Sequence, residues 1–398
     1  MLNINKSKKY LLACSFGPDS MALFDMLKKQ DFYFEVAHVN YHLRNESDFE
    51  EKSLRKYCEE NDIKIHVFDV KEVPYKNIEE IAREIRYSFF FSIIKKQGLN
   101  SLLIAHHQDD LLETYIMQKM RNILPKYYGI KEISYQNDVE IVRPLLNYTK
   151  SELLDYVNNN HIPYSVDKTN LSDVFLRNKI RHTLVSVMKR EKRLEMLKEI
   201  SDKNKEIAMI EESNKTNDVY SLNYLLSLDD VSFAYTLTNI VRNKLPGFEM
   251  SFSFVKEIKK ALQSKKVRVK IKLNHDCILL KEYGHIELIM GGDINYSYTY
   301  EKPSIDDNEI FYMNFINKSD NRNVYLDSYP ITIRNALPKD KVMIKNYYVE
   351  VRRLFIDWKV PLSLRKKWPV ILDKNGNVIK QIFKSKTGTF TATSALLS

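Results

Sequence analysis

The residues best suited to chemistry form a short loop near the start of the chain. It reads Ser15-Phe16-Gly17-Pro18-Asp19-Ser20 and lies between an apolar run and a segment whose apolar residues recur at helical spacing. Backbone N–H groups at the start of a helix carry partial positive charge and bind phosphates. Glycine lets a ligand approach the backbone closely, and proline suits the first helical turn. The loop therefore predicts a phosphate-binding site.

Asp19 needs its own explanation, because a carboxylate repels phosphates unless a cation lies between them. Mg²⁺ commonly links carboxylates to phosphates, so we predict that Asp19 is a metal ligand. The alternative is that Ser15 and Asp19 only cap the helix. The loop lacks the Gly-Lys-Ser/Thr ending of a Walker A loop, so transfer of a γ-phosphate is not the leading hypothesis.

Two later segments carry further charged candidates. Arg83 and Arg86 are three residues apart on a predicted helix and share a face that could hold phosphate, or could simply be solvated. Asp109 and Asp110 begin another helix and diverge by about 100°. We expect Asp110, which shares a face with Glu113, to be a second Mg²⁺ ligand or to orient the reacting base. Asp109 is then a helix-start residue.

The elements that must position these residues alternate between strand and helix. Apolar runs near residues 9–14, 34–41, 64–70 and 101–106 read as strands, with helical patterns near 21–27, 47–60, 77–96 and 109–120 between and after them. This succession predicts an α/β fold with a doubly wound, mostly parallel sheet. Ligands of such sheets bind beyond the carboxyl ends of the strands, here near Ser15, Asn40 and His106.

The length of 398 residues suggests more than one domain. We predict a catalytic domain over 1–200, a helical middle domain over 201–310 and a small α+β C-terminal domain over 311–398. A formal charge of +10 favours a polyanionic partner. The three scattered cysteines suggest neither disulfides nor a thiolate metal site, which fits the cytoplasm. No apolar run approaches the roughly 20 residues that span a bilayer, so no membrane role is expected.

The loop at residues 15–20 resembles the Ser-Gly-Gly-x-Asp-Ser loop of PP-loop ATPases, the adenine nucleotide alpha-hydrolase-like fold. These enzymes cleave ATP to AMP and pyrophosphate. Phe16 departs from the family, which usually has glycine there, and we expect its side chain to alter the loop or to crowd the nucleotide.

Further motifs resemble tRNA(Ile)-lysidine synthetases in order and spacing. They are His38-Val39-Asn40-Tyr41-His42-Leu43-Arg44, Ala82-Arg83-Glu84-Ile85-Arg86-Tyr87, His106-His107-Gln108-Asp109-Asp110 with Glu113, Asp167-Lys168-Thr169-Asn170 and Arg177-Asn178-Lys179-Ile180-Arg181-His182. The resemblance implies that ATP and Mg²⁺ are required, and that L-lysine is joined to the wobble cytidine of a tRNA(Ile) with a CAU anticodon through an adenylated cytidine. The oligomeric state is left open, with a homodimer possible.

The resemblance also implies roles for individual residues. Asp19, Arg83, Arg86 and Asp110 would be catalytic, with Asp19 and Asp110 on the metal. The nucleotide would contact Ser15, Phe16, Gly17, Pro18, Asp19, Ser20, His38, Asn40 and His106. The tRNA or lysine would contact Arg44, Glu113, Asn170, Arg177, Asn178, Arg181, Arg352, Arg353, Arg365 and Lys366.

The last four residues belong to a stretch that resembles the C-terminal domain of the longer family members. With Trp358 and Trp368 they would form a basic, aromatic surface for the tRNA acceptor stem; alternatively, both tryptophans are core and the cations only solvated. Two other functions remain open. One is another PP-loop enzyme such as a tRNA cytidine thiolase, and the other is a non-catalytic tRNA-binding protein with a relic nucleotide loop, suggested by Phe16.

Overall fold

A computed structural model describes residues 2–42, 46–71, 78–165, 176–213, 220–292, 295–316, 326–344, 346–382, 384–386 and 389–393. The chain divides into two compact units. The first is Met1–Lys215 with Glu249–Ser253, and the second is Thr216–Phe248 with Phe254–Ser398. The division into three domains stays a prediction.

The first unit is built on a six-stranded sheet. Its strands are β1 (Tyr10–Ala13), β2 (Phe34–Asn40), β3 (Ile65–Asp69), β4 (Ser101–Ile104), β5 (Ile133–Gln136) and β6 (Val139–Val142). The order is β3-β2-β1-β4-β6-β5, and every pairing is parallel except that of the edge strand β5. The predicted doubly wound, mostly parallel sheet is confirmed.

The first unit has seven α-helices in its described part. They are α1 (Pro18–Lys29), α2 (Ser47–Glu60), α3 (Ile78–Gln97), α4 (Gln108–Met120), α5 (Lys150–Asn159), α6 (Leu176–Ile180) and α7 (Arg190–Ser213), with a π-helical turn at Arg181–Val185 between the last two. Of these helices, α1, α2 and α5 pack on one face of the sheet and α3 on the other. Successive strand residues point to opposite faces. Leu12 therefore packs in the core beside α1 and α5, whereas Leu11 packs in the core beside α3. Burial on both faces explains why β1 is uniformly apolar.

Strands β5 and β6 form a hairpin at the edge of the sheet, joined by a two-residue turn. Its turn residues, Asn137 and Asp138, have φ values of 49° and 61°. Asparagine and aspartate tolerate this left-handed conformation, which a tight hairpin turn requires. The hairpin brings Arg143, the residue after β6, beside the end of β4.

The second unit combines helices with small sheets. Its helices are α8 (Leu222–Ser227), α9 (Asp230–Lys244), α10 (Phe252–Leu262), which belongs to this unit from Phe254 onward, α11 (Val351–Asp357) and α12 (Leu362–Arg365). Its strands are β7 (Tyr220–Ser221), β8 (Arg268–Lys272), β9 (Cys277–Glu282), β10 (His285–Met290), β11 (Ser297–Tyr300), β12 (Ile305–Asp307), β13 (Phe311–Asn314), β14 (Ile331–Asn335), β15 (Lys341–Ile344), β16 (Tyr347–Glu350), β17 (Pro369–Leu372), β18 (Val378–Ile382), β19 (Lys384–Lys386) and β20 (Thr389–Thr393).

These strands form three sheets, ordered β7-β10-β9-β8, β11-β14-β17-β18-β15-β16 and β12-β13-β20-β19. Phe311, Ile333 and Trp368 lie in one apolar core there.

No helix in the described part of the chain is long and apolar enough to cross a membrane.

Candidate active site

A cavity of about 730 Å³ lies beyond the carboxyl ends of β1, β2 and β4, within the usual size range of small-molecule sites. The predicted residues that line it are Ser15, Gly17, Asp19, Ser20, His38, Asn40, Arg83, Arg86, His106, Asp110 and Arg181. Parallel strands bring these separated segments to one edge of the sheet. Their binding roles stay predictions, but their convergence is a feature of the fold.

The phosphate loop has the expected geometry at the start of α1. Gly17 is the N-cap and Pro18 the first helical residue, and the Ser20 hydroxyl donates to the Gly17 carbonyl at 2.9 Å. A Cβ at Gly17 would lie 3.3 Å from the Ser15 Oγ, so the loop is tightly packed there. The first N–H groups of a helix have no partner within the helix, and here that end borders the cavity.

Phe16 does not crowd the cavity. Its side chain is 3% exposed and packs in the core beside α1, and it does not line the cavity. Its backbone has φ of 62°, and its carbonyl accepts from the Ser165 N–H at 2.9 Å. A left-handed conformation favours glycine, which explains the residue usual in this loop. Phe16 offsets that backbone cost by burying a large ring.

We expect Phe16→Gly to destabilise the protein although it introduces the residue that PP-loop ATPases usually have. Loss of a buried phenylalanine costs about 3–5 kcal/mol, and relief of the left-handed backbone returns about 1–2 kcal/mol. The net loss, about 1–4 kcal/mol, is measurable by urea denaturation. Unchanged stability would show that the ring contributes little to the core.

A histidine lies between the two predicted metal ligands. Nε2 of His107 is 3.6 Å from Oδ2 of Asp19 and 3.4 Å from Oδ2 of Asp110. Burial alone would lower the pKa of His107, but the two carboxylates outweigh burial and the pKa is raised above its ordinary value. Oδ1 of Asp19 is buried without a hydrogen-bond partner among the described residues. Asp19 therefore keeps one oxygen available.

Asp110 has its oxygens engaged. Oδ2 accepts from the His107 backbone N–H at 3.1 Å, which caps α4, and Oδ1 lies 3.2 Å from the Arg177 guanidinium and 3.5 Å from that of Arg181. This arrangement does not favour the predicted metal role of Asp110. Asp109 turns away and pairs with Arg193 at 2.6 Å, as expected of a helix-start residue.

Glu113 is fully buried, and its carboxylate accepts hydrogen bonds from two arginines, Arg177 and Arg181. Arg181 donates from Nε to Oε1 at 2.6 Å, and Arg177 donates from Nε to Oε2 at 2.9 Å. Arg181 also lines the cavity, whereas the Arg177 side chain is 42% exposed. The predicted substrate residues Glu113, Arg177 and Arg181 thus form one ion-pair cluster beside Asp110.

Two histidines present opposite chemistry to the cavity. Nδ1 of His38 is 2.9 Å from the Cys14 carbonyl, which can only accept, so this nitrogen carries the proton. Nδ1 of His106 accepts from Nε–H of Arg143 at 3.2 Å, so the proton of the neutral ring lies on Nε2. His38 thus leaves Nε2 as an acceptor and His106 leaves Nε2–H as a donor.

Burial lowers the pKa of both rings, that of His106 to about 4 against the opposing effect of Asp110. The unfolded chain binds a proton at this site near pH 6.5, before the folded one does. Stability is therefore lost as pH falls from about 6.5 to about 4, by at most about 3 kcal/mol. Between pH 7.5 and pH 4.5 the free energy of unfolding, measured by urea denaturation, should therefore fall less in His106→Asn than in the wild type, by up to about 3 kcal/mol. The exposed His161, replaced by asparagine, is the control; equal slopes in both variants would contradict the prediction.

Arg83 and Arg86 lie on one face of α3 and both border the cavity, as their spacing predicted. The Arg83 guanidinium carbon is 4.6 Å from the centre of the Tyr87 ring, and NH2 donates to the Tyr87 hydroxyl at 3.2 Å. Neither arginine has a carboxylate within ion-pair distance among the described residues. Their charge is therefore available to an anionic ligand.

The remaining predicted residues have varied surroundings. Arg44 and Asn170 lie outside the described residues, and Asn178 lies on α6. In the second unit Arg352, Arg353 and Lys366 are exposed, and the two tryptophans differ, since Trp358 is 47% exposed and Trp368 is 7% exposed. Arg365 differs from the expected surface cation. It is largely buried, donates to the Val360 carbonyl at 2.7 Å and lies 3.9 Å from the Glu282 carboxylate.

Sequence reasoning missed His107, Arg143 and Lys150. His107 was named only as part of the motif at residues 106–110, although its place as the N-cap of α4 turns it toward Asp19. Arg143 interrupts the apolar run Ile141–Leu146, and a single cation in such a run indicates a buried charge. Lys150 lines the cavity from the start of α5, after the Thr149 N-cap, which sequence alone could have located.

Comparison with known proteins shows the family of the chain. Residues 1–188 match the PP-loop domain family. The tRNA(Ile)-lysidine synthase of Mycoplasma mycoides subsp. mycoides SC is 31% identical over 96% of this chain and 99% of its own length. That of Ureaplasma parvum is 40% identical over 47% of this chain and 57% of its own length. A U34-tRNA thiolase from Methanococcus maripaludis covers 50% of this chain and 73% of its own, with 14% identity and a TM-score of 0.43. By its full-length likeness to the first of these proteins, the chain belongs to the tRNA(Ile)-lysidine synthase family.

Proposed function

We propose that this enzyme joins L-lysine to the wobble cytidine of tRNA(Ile) with a CAU anticodon, in the cytoplasm, and consumes ATP to AMP and pyrophosphate. The observation that carries the proposal is one cavity lined by the phosphate loop, by the arginines of α3, and by His38 in β2 and His106 after β4. It combines backbone donors, cations without carboxylate partners among the described residues and uncharged imidazoles. Such a set suits a nucleotide whose charge shifts during reaction.

The free oxygen of Asp19 fits a magnesium ion. Mg²⁺ is usually held by one or two carboxylates, with phosphates and water supplying its other ligands. Oδ1 of Asp19 is buried and without a partner among the described residues, so we propose Asp19 as the carboxylate ligand. Bound there, Mg²⁺ would neutralise negative charge on the departing pyrophosphate. For Asp110 we propose a positioning role, since it contacts His107 and Arg181.

The reaction then has two displacements. In the first, the ring carbonyl oxygen of the cytidine forms a bond to the α-phosphorus of ATP, and the bond to pyrophosphate breaks. In the second, the lysine ε-amine forms a bond to the activated ring carbon, loses a proton, and AMP departs with the oxygen. The loop at the start of α1 would hold the pyrophosphate, while Arg83 and Arg86 would stabilise charge at the transferred phosphate.

Exposed cations on α11 and at the end of α12 provide a candidate surface for the tRNA. Arg352, Arg353 and Lys366 are exposed, and the half-exposed Trp358 could stack on a base or ribose. We leave Arg365 out of this proposed surface, because its guanidinium donates to the Val360 carbonyl and lies near the Glu282 carboxylate.

The test is a nucleoside assay. The full chain is incubated with Mg-ATP, isotope-labelled lysine and tRNA(Ile) with a CAU anticodon, and the tRNA is then digested to nucleosides. Label in the wobble nucleoside, together with AMP and pyrophosphate release that depends on both tRNA and lysine, is the expected result. Folded protein that binds tRNA but transfers no label would overturn the proposal. The alternative of a non-catalytic tRNA-binding protein was suggested by Phe16. The Phe16 side chain is buried and does not line the cavity, so this reason for the alternative no longer applies.

A further inference from the structure

Arg143 is a buried cation with an unusual set of partners. It is 7% exposed and follows β6, next to the strand that ends before His106. NH1 donates to the Lys131 carbonyl at 2.8 Å and to the Ser134 hydroxyl at 2.9 Å, while Nε donates to Nδ1 of His106 at 3.2 Å. Among the described residues no carboxylate lies within ion-pair distance. Burying a guanidinium with only neutral acceptors is costly, which indicates that Arg143 has a functional role.

The fixed hydrogens of arginine determine the state of His106. A guanidinium Nε–H can donate and cannot accept, so the nitrogen it contacts must be unprotonated. A second proton on His106 would remove the acceptor and place two cations side by side. The two neutral contacts at Lys131 and Ser134 hold the guanidinium plane toward the ring. His106 itself lines the cavity, whereas Arg143 lies behind it and does not.

We propose that Arg143 is a positioning residue for the nucleotide site. It holds His106 in the uncharged Nε2–H form, so that the ring donates a hydrogen bond to an oxygen of bound ATP. His38, held by the Cys14 carbonyl in the opposite form, leaves an acceptor in the same cavity. The two rings then recognise different groups of a ligand. This inference rests on the proposed function only for the identity of ATP.

The protonation state can be measured on the wild-type chain without substrates. The chain has nine histidines, and ring-¹⁵N labelling with long-range proton correlation separates pyrrole-like from pyridine-like nitrogens. Loss of one signal set in His106→Ala and in His38→Ala assigns them. We expect His106 to carry its proton on Nε2 and His38 on Nδ1 between pH 6 and pH 8. A protonated Nδ1 at His106 would overturn the inference even if lysidine is formed.

Action through His106 is tested by Mg-ATP titration in a calorimeter, without tRNA or lysine. We expect Arg143→Met and His106→Ala each to weaken ATP binding about tenfold, the size of one lost hydrogen bond. The double variant should bind no more weakly than His106→Ala. Independent losses that multiply would overturn the proposal, as would unchanged affinity in Arg143→Met.

Two further observations keep the test clear. In Arg143→Met the nitrogen signals of His106 should shift, while those of His38 stay unchanged. If Arg143→Met fails to fold, Arg143→Lys keeps the charge and one donor, and it should weaken ATP binding less than His106→Ala does. The positioning role would be contradicted if Arg143→Lys bound ATP as weakly as His106→Ala does while its His106 ring-nitrogen signals stayed those of the wild type. Correct histidine signals with absent lysidine formation would instead count against the proposed function alone.

Discussion

Asp19→Asn should lower the rate of lysidine formation about 10²- to 10³-fold, because removing a metal-binding carboxylate costs several kcal/mol of transition-state stabilisation. The side chain lies in the first turn of α1, with Oδ1 buried and free of partners among the described residues. Asparagine keeps the volume but removes the charge that would hold Mg²⁺. We measure single-turnover label transfer from lysine across a range of magnesium concentrations. The magnesium concentration that gives half of the maximal transfer rate should be higher in the variant than in the wild type.

The matched control is Asp25→Asn, which makes the same substitution six residues later on the same helix. Asp25 is buried, accepts from the Tyr156 hydroxyl at 2.7 Å and pairs with Lys29, and does not line the cavity. We expect it to lose stability but to keep the turnover rate and magnesium dependence of the wild type. tRNA binding should be unchanged in both variants. Wild-type turnover by Asp19→Asn would remove Asp19 from the metal site.

The arrangement of the catalytic unit was predictable from sequence because local patterns and connection rules agree there. The helix predicted near residues 47–60 is α2, Ser47–Glu60, and the helix predicted near 77–96 is α3, Ile78–Gln97. Since strands joined by such helices run parallel, residues after each strand had to converge. This is why Ser15, Asn40 and His106 meet at one cavity.

Side-chain orientation and pairing across the fold were not predictable in this way. The side chain of Phe16 was expected to alter the loop or to crowd the nucleotide; the backbone at Phe16 is left-handed, and the side chain packs in the core. Asp110 was expected to hold metal or to orient the reacting base, and nothing in the sequence indicated that Arg177 and Arg181 contact it from a segment more than sixty residues later. Both outcomes depend on contacts that no local pattern encodes. The burial of Arg365 was not predictable for the same reason, since its neighbour Glu282 lies on a strand distant in sequence.

The ion-pair cluster around Glu113 gives the second large effect. We expect Glu113→Gln to destabilise the protein by about 3–5 kcal/mol, because breaking a buried pair leaves an uncompensated charge. Glutamine preserves the volume, so a cavity does not contribute. Glu113 is 0% exposed and takes charged hydrogen bonds from both arginines. Urea denaturation measures the loss, and label transfer at a temperature where the variant is folded measures its effect on activity.

The two arginines provide an internal comparison. Arg181 is 17% exposed and lines the cavity, whereas Arg177 is 42% exposed and does not. Arg181→Gln should therefore lose much more stability and activity than Arg177→Gln, whose solvent-screened pair contributes about 1 kcal/mol or less. In a double-mutant cycle Glu113 should couple more strongly to Arg181 than to Arg177. Equal coupling, or a Glu113→Gln variant within about 1 kcal/mol of the wild type, would mean that water screens this cluster despite its burial.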